Sequence, residues 1–519
     1  MGITQYTVEA KTPFSESLIW QLNRDYYNSK GIDAWRTGEV PHNLTSSSML
    51  GKTYAELILA FLKDIANKGQ LKDIVYILEV GAGHGRLAFH ILKHLAQLEA
   101  QEAMELPPYC YVLSDIVEED LLFFQQHPQF KTYFEKGLLD VAYFDAIGGK
   151  ELQLRFANTT IRSNDLNQPI LVLANYFFDT IPKDLFYIKD EIISSCSLTL
   201  NSSIDPKGAE AVDLLSTLTL TYSKLLMDVL YYKDPILNEM LEEYRMALTD
   251  TYLFFPQKGL QCLQNLQALS KEGMMIISMD KGTHEIHNLD NKKQPEFVTH
   301  GSFSFVVNFH ALGAFCTKQG GLAHFPVSSS NAIELACLLF LPEAESYTET
   351  AIAYQKNVSD YGPNDFNTLK IFSYKNVASI SLDEILGLLR LGAYDSTLFS
   401  NFLPRIKQLS QHINFNQRTN LVATMHATWD MYFTLNEAKD LAFEIGGLLY
   451  QLGHFAPALE YFQYSIDAYG HTADGYYNRA LCYYQLREDK RFKEIVKEAN
   501  TLFPNYKALA HLDKLDLRA

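Results

Sequence analysis

Residues 79–95, EVGAGHGRLAFHILKHL, place glycine at every second position from Gly81 to Gly85, with an acid, Glu79, two residues ahead. The run DIVYILEV (73–80) before the loop has the length and Ile/Val content of a buried parallel strand, and the residues after it are helical in period. A glycine-rich turn between strand and helix lets bare backbone approach a ligand. Spacing narrows which ligand. A dinucleotide turn, G-x-G-x-x-G, needs glycine at 86, where Arg86 stands. No Gly-Lys-Ser/Thr follows, so an ATP-type phosphate loop is excluded as well. Elimination leaves a tight strand-to-helix turn with an acid, Glu79, ahead of it, and what that turn admits stays open at this point.

The elements that position this chemistry alternate. YCYVLSD (109–115), LLDVAYFDA (138–146), PILVLANYFFD (169–179) and GMMIISMDKG (273–282) read as further strands, with later β-like stretches FSFVVNF and ELACLLFL. The stretch 190–272 reads as a long, partly helical excursion. Strands alternating with helical patterns predict a parallel or mixed doubly wound sheet. The second strand ends in Asp115 and the third near Asp145, acids that can accept donors of a ligand or cap the following turn. The fourth carries Asn175 and Asp179 to the C-terminal edge, where ligands bind in such sheets.

The pattern E-x-G-x-G-x-G resembles motif I of the S-adenosylmethionine (SAM) methyltransferases. EVGAGHGRLA, SDIVEEDLLFFQQHP, ANYFFDTIPKDLF and VVNFHALGAF, in that order, resemble the MidA-like methyltransferases, a family linked to assembly of respiratory complex I. The resemblance covers about residues 13–325. It implies a Rossmann-like class I methyltransferase sheet and SAM as cofactor, held over Gly81, Gly83 and Gly85 by Glu79, Asp115 and Asp145. It also implies a protein arginine acceptor, with Asn175 and Asp179 aligning acceptor and methyl. The chain departs from the family at Tyr176, where an acid is customary, at Val306, where a histidine is, and at Ser48 in LTSSSMLGKTYAELI. His300 and His310 lie near Val306 in sequence. These departures frame an alternative: a catalytically inactive SAM-fold adaptor that works through its tail.

That tail is helical in period and contains a repeat. Residues 438–471 and 472–506 align on a 34-residue register, Gly446 with Ala480, Leu449 with Tyr483, Phe462 with Val496, and Gly470 with Pro504. The pattern resembles tetratricopeptide (TPR) helix pairs, which recruit proteins, with Phe492 and Ser465 as deviations. The expected division is a helical segment 1–70 covering the cofactor site, a methyltransferase domain 71–345, a polar linker 346–375 and an all-α domain 376–519.

Bulk composition sets the outer limits. The 519 residues carry a net charge of −17, which disfavours nucleic acid and favours a basic protein or peptide partner. Six scattered cysteines without a CxxC pair suit a reducing compartment. The start has no signal-peptide pattern, Tyr6 stands where myristoylation wants Ser or Thr, and no apolar run reaches membrane-span length. The expectation is a cytoplasmic protein. His90 and His94 stand i,i+4 without a third ligand, so they read as solvated helix histidines and no metal is expected. The segment THEIHNLD, with His284, Glu285, His287 and Asp290, borders the ligand edge and could touch substrate. The sequon at Asn43 has no meaning in the cytosol.

Overall fold

The computed structural model describes residues 5–37, 39–40, 46–227, 231–327, 333–435 and 437–512. Asn43 and Thr45 lie outside the described residues. The chain forms two compact units, Met1–Asp365 and Phe366–Ala519.

The first unit opens with β1 (Tyr6–Pro13), α1 (Leu18–Lys30), the single turn α2 (Asp33–Arg36) and α3 (Ser48–Asn67). The glycine turn joins β2 (Val75–Val80) to α4 (Arg86–Glu99), and β3 (Tyr109–Asp115) leads into α5 (Glu118–Gln126). Then come β4 (Leu139–Tyr143), β5 (Leu152–Leu154), β6 (Thr159–Ile161) and β7 (Ile170–Asn175). They are followed by β8 (Asp184–Lys189), β9 (Ile192–Ser202), β10 (Leu218–Leu226), β11 (Asp250–Phe255) and β12 (Met274–Thr283). Short β13 (Thr299–His300), β14 (Ser302–Phe303), β15 (Val307–Asn308) and β16 (Leu322–His324) precede β17 (Ile333–Phe340).

The main sheet runs β16-β17-β12-β7-β2-β3-β4-β5-β6. Its five central strands, β12, β7, β2, β3 and β4, are parallel, and β17 is antiparallel to β12. Helices on both faces explain why β3 is buried at every position and reads as an unbroken apolar run. This is a mixed α/β, methyltransferase-like sheet, as the strand–helix alternation predicts. Its parallel register brings the ends of β2, β3 and β7 to one edge. FSFVVNF is not a strand; only the dipeptides of β14 and β15 pair.

The excursion 190–272 holds more than helices. Between β7 and β12 the chain builds a second, antiparallel sheet, β1-β9-β8-β11, with β10 on β9. Its long strand, IISSCSLTLNS, alternates buried and partly exposed positions, and the Ser/Thr outer face hides the strand period. The N-terminal segment contributes β1 to this sheet, so 1–70 is not all helical. Phe14, Trp20 and Tyr26 join Leu198 and Leu200 in a core between sheet and α1.

His90 and His94 are buried, not solvated. They face α3, where the Cβ of His90 lies against Gly51 and His94 Nε2 is 3.1 Å from Ser48 Oγ. Burial depresses the His90 imidazole well below its ordinary range.

The expected linker 346–375 is helical at Thr348–Tyr354 and again at Pro363–Lys375, and its first helix is docked. Buried Asp64 of α3 accepts N–H bonds from Glu349 (3.0 Å) and Thr350 (2.8 Å) and the Thr350 hydroxyl (2.8 Å). Tyr347 stacks on Phe61. The polar composition misleads because these polar groups cap a helix terminus.

In the second unit, helices Leu441–Gln451 and Phe455–Tyr469 form one pair, and Ala473–Gln485 and Asp489–Leu502 the next. A Cβ on Gly446 would lie 2.9 Å from the Phe462 ring, so close helix approach requires the small residue. The deviating Ser465 is buried because its hydroxyl donates to Asp440 (2.6 Å), and Phe492 packs on Tyr484. Among the described residues no helix is long and apolar enough to cross a membrane.

Candidate active site

Gly81, Gly83 and Gly85 all adopt left-handed backbone, φ +65°, +57° and +75°, which explains why the turn carries glycine at these three places. Gly81 is exposed on the sheet edge, where a Cβ would meet only the Phe177 ring, at 3.4 Å. The Gly83 N–H donates to Asp115 Oδ2 (3.1 Å), while Ile116 and Val117 donate to Oδ1 (2.7 and 3.1 Å). Asp115 therefore ties the end of β3 to the glycine turn. Burial raises its carboxyl, with these three N–H groups opposing.

Glu79 is buried, and Tyr111 of β3 donates a hydroxyl hydrogen bond to it (2.8 Å). Burial pushes its carboxyl up to about 8 against that bond. Asp145 follows β4 and is only half-buried. Both of its oxygens are engaged by Arg24 of α1 (2.9 and 2.8 Å). Burial works to raise this carboxyl, but Arg24 and the Ile147 N–H outweigh it and hold it low. What remains to Asp145 for another donor is its spare lone pairs.

At the end of β7, Asn175 accepts a short hydrogen bond from the Tyr54 hydroxyl of α3. Tyr176 stands at φ +46°, a strained conformation for an aromatic residue, and its N–H reaches Met279 O of β12 (2.9 Å). The chain turns there and buries Asp179, whose Oδ1 has no hydrogen-bond partner among the described residues. Burial raises its carboxyl to about 6 although Lys183 draws it down. Asp280 of β12 accepts the Asp179 N–H (3.0 Å). Lys183 is also buried and donates to the carbonyls of Phe178, Asp179 and Phe305 (2.9, 3.1 and 3.2 Å), pinning this turn. Burial lowers its ammonium to about 8, with Asp179 and Asp280 opposing.

The N-terminal segment meets this row of groups. Tyr27 of α1 donates to Ser302 (3.0 Å), and its phenol is raised to about 12 by burial, then by Asp179 and Asp115. Trp35 of α2 stacks on Tyr27, and a Cβ on Gly83 would lie 3.0 Å from its indole.

Residues that sequence reasoning passed over include Asp120, Asp280 and Glu334. Asp120 of α5 is fully buried with neither oxygen bonded among the described residues, and burial lifts it to about 9, followed by repulsion from Asp115. An acid inside an apolar strand, as in SMDKG or IELACLLF, is the one signal the sequence offered for the other two. Of THEIHNLD, His284 approaches buried Glu334, His287 pairs with Glu285, and Asp290 accepts the Thr249 and Asp250 N–H groups. Val306 is exposed, and His310 Nδ1 lies 2.8 Å from the Tyr244 hydroxyl. Asn308 caps the following helix through the Ala311 N–H.

Residues 54–287 match a family model described as "putative S-adenosyl-L-methionine-dependent methyltransferase", and all eight residues chosen from the sequence fall inside that span. The chain is a SAM-dependent methyltransferase. Its cofactor, S-adenosyl-L-methionine, fits the residues present. The left-handed glycines offer bare backbone, and Asp115 and Glu79 offer carboxylates beside it. No curated protein matches the chain. An uncharacterised superfamily protein from Burkholderia thailandensis is similar in structure, at 14% identity over 65% of this chain and 90% of that one, with TM-score 0.40. A member of that superfamily from the same organism, bound to S-adenosyl-homocysteine, shares 13% identity over 65% and 90% (TM-score 0.41). Magnesium protoporphyrin IX methyltransferase from Synechocystis, with bound S-adenosyl-homocysteine, shares 12% over 62% and 98% (TM-score 0.28). At this degree of similarity the three carry no argument about the site.

Proposed function

We propose that this methyltransferase modifies a nitrogen of a protein side chain, arginine by the family resemblance, and that its TPR-like tail recruits the protein partner. The observation carrying the reading is the edge itself. The glycine turn with Glu79 and Asp115 stands on one side, and Asn175 with the half-satisfied carboxyl of Asp179 on the other. Tyr27 of α1 and Trp35 of α2 bring the N-terminal segment to this edge, Tyr27 through Ser302 and Trp35 against Gly83.

Gly81, Gly83 and Gly85 admit the cofactor's amino-acid and ribose portions. Glu79 receives its amino-bearing end, Asp115 its ribose hydroxyls, and Asp145, steadied by Arg24, the adenine side. Bound there, the cofactor supplies an electrophilic methyl on a cationic sulfur. Asn175 and Asp179 orient the acceptor nitrogen through hydrogen bonds, and positioning supplies much of the rate. Phe177 and Tyr176 limit water around the sulfonium, where charge disperses as the methyl moves. All six cysteines are buried free thiols, which suits the cytoplasmic placement.

Two measurements test the reading. Calorimetry should show SAM and S-adenosylhomocysteine binding at micromolar level, and absence of binding would refute the site. A cell lysate incubated with methyl-tritiated SAM should yield labelled protein. Binding without any labelled acceptor would favour the adaptor function instead.

A further inference from the structure

Glu334 lies inside β17, fully buried, in a strand otherwise made of Ile, Leu, Ala, Cys and Phe. A carboxylate taken out of water in this way carries a desolvation penalty unless something compensates it. Among the described residues neither of its oxygens makes a well-aligned hydrogen bond. What approaches it is His284, whose Nδ1 stands 3.1 Å from Glu334 Oε2, close in distance but off the hydrogen-bond line. Burial raises the Glu334 carboxyl, and His284 opposes.

The imidazole itself is held in place. Phe325 stacks flat on it, ring centroids 4.6 Å apart and planes within 4°. Its side chain keeps 17% of its exposure, while the Nδ1 that faces the carboxylate is buried. The pair belongs to the same sheet edge as the acceptor groups. Glu334 is the strand partner of Asp280, and Asp280 holds the Asp179 N–H. The other titratable groups around His284 are Glu285 beside it, and His310 on the helix Phe309–Lys318, which is engaged by Tyr244 and drawn on by Glu243.

We propose that His284, oriented by Glu334, is the base that takes the proton displaced when the acceptor nitrogen is methylated. This rests on the reading that the acceptor is a nitrogen. With the carboxylate nearest Nδ1 and favouring the proton there, the Nε2 lone pair is left for the acceptor. The N–H bond breaks and its proton passes to Nε2. The carbon–nitrogen bond forms as the carbon–sulfur bond breaks, and sulfur keeps that pair as the thioether of S-adenosylhomocysteine. The exposed edge of His284 then returns the proton to water.

The experiment compares the full chain with His284→Gln, His284→Ala and Glu334→Gln in the tritiated-SAM lysate assay from pH 5.5 to 9. Calorimetry with S-adenosylhomocysteine should agree within about twofold for all four, showing intact cofactor sites. His284→Gln should lower the labelling rate about 100-fold at neutral pH and abolish the acid limb of its pH profile. Imidazole in the buffer should restore part of the rate to His284→Ala, and Glu334→Gln should lose about tenfold and move the acid limb. Labelling by His284→Gln at the unaltered rate and profile overturns the base while leaving methyl transfer intact. No labelling by the unmodified chain overturns both.

Discussion

At the residue scale, the glycine turn and its acids pull stability and function in opposite directions. A left-handed backbone costs a non-glycine residue about 1–2 kcal/mol, and at Gly83 an added Cβ also meets the Trp35 indole. Gly83→Val should therefore abolish S-adenosylhomocysteine binding in calorimetry, with circular dichroism reporting whether the fold survives. Asp120 has no compensating partner among the described residues, so its charge is disfavoured in the folded state. Its folded value of about 9 lies above the unfolded carboxyl. The folded protein then holds the extra proton between about pH 4 and 9, and stability falls as pH rises through that window. Asp120→Asn should raise the thermal midpoint by roughly 2–4 °C at pH 8.5 and change it little at pH 5. An equal shift at both pH values would show that the carboxyl's charge is not the cause.

At the element scale, caps and crossings decide what composition leaves open. Asp64 of α3 satisfies the first N–H groups of the helix Thr348–Tyr354 and closes a segment that reads as a linker. Replacing a buried capping carboxylate leaves those donors unpaired, which costs about 2–3 kcal/mol. Asp64→Ala should lower the urea midpoint of the full chain accordingly, and an unchanged midpoint would mean the helix docks without it. The second sheet makes the same point from the other side. Its strands are divided between β1 near the N-terminus and β8 to β11 in the long excursion. No local window holds enough of it to show a period, and its Ser/Thr outer face resembles loop. The helix pairs of the second unit were legible because Gly446, Ala458, Ala480 and Ala499 must be small wherever two helices cross at that register.

At the scale of the whole molecule, charge is unevenly shared. Residues 366–519 hold 16 basic and 16 acidic side chains, so the whole net charge of −17 belongs to residues 1–365. Such a surface attracts cationic partners at long range, and salt screens it over about 8–10 Å. A fluorescent Lys/Arg-rich peptide should bind at least about tenfold more tightly at 20 mM than at 200 mM salt. An acidic peptide of equal length should not bind. Binding of both alike would remove electrostatic steering from the account.

Local sequence was enough for the glycine turn and the acids at the strand ends, because both depend on contiguous residues. Three glycines forced left-handed, an acid two residues before them and aspartates ending short apolar strands are features of single turns and strands. The strand–helix alternation also predicted a parallel or mixed sheet, while the order of its strands came only from the structure. The grouping of buried charges around β12 was decided only by tertiary structure. Asp280 and Glu334 are far apart in the chain, and the pairing of β12 with β17 makes them strand partners, with His284 against Glu334 and the Asp179 N–H on Asp280. Arg24 reaches Asp145 across 121 residues, and His90 and His94 became core residues because α3 lies over them. A buried charge acquires meaning from what lies within hydrogen-bond reach, and folding alone brings those groups together.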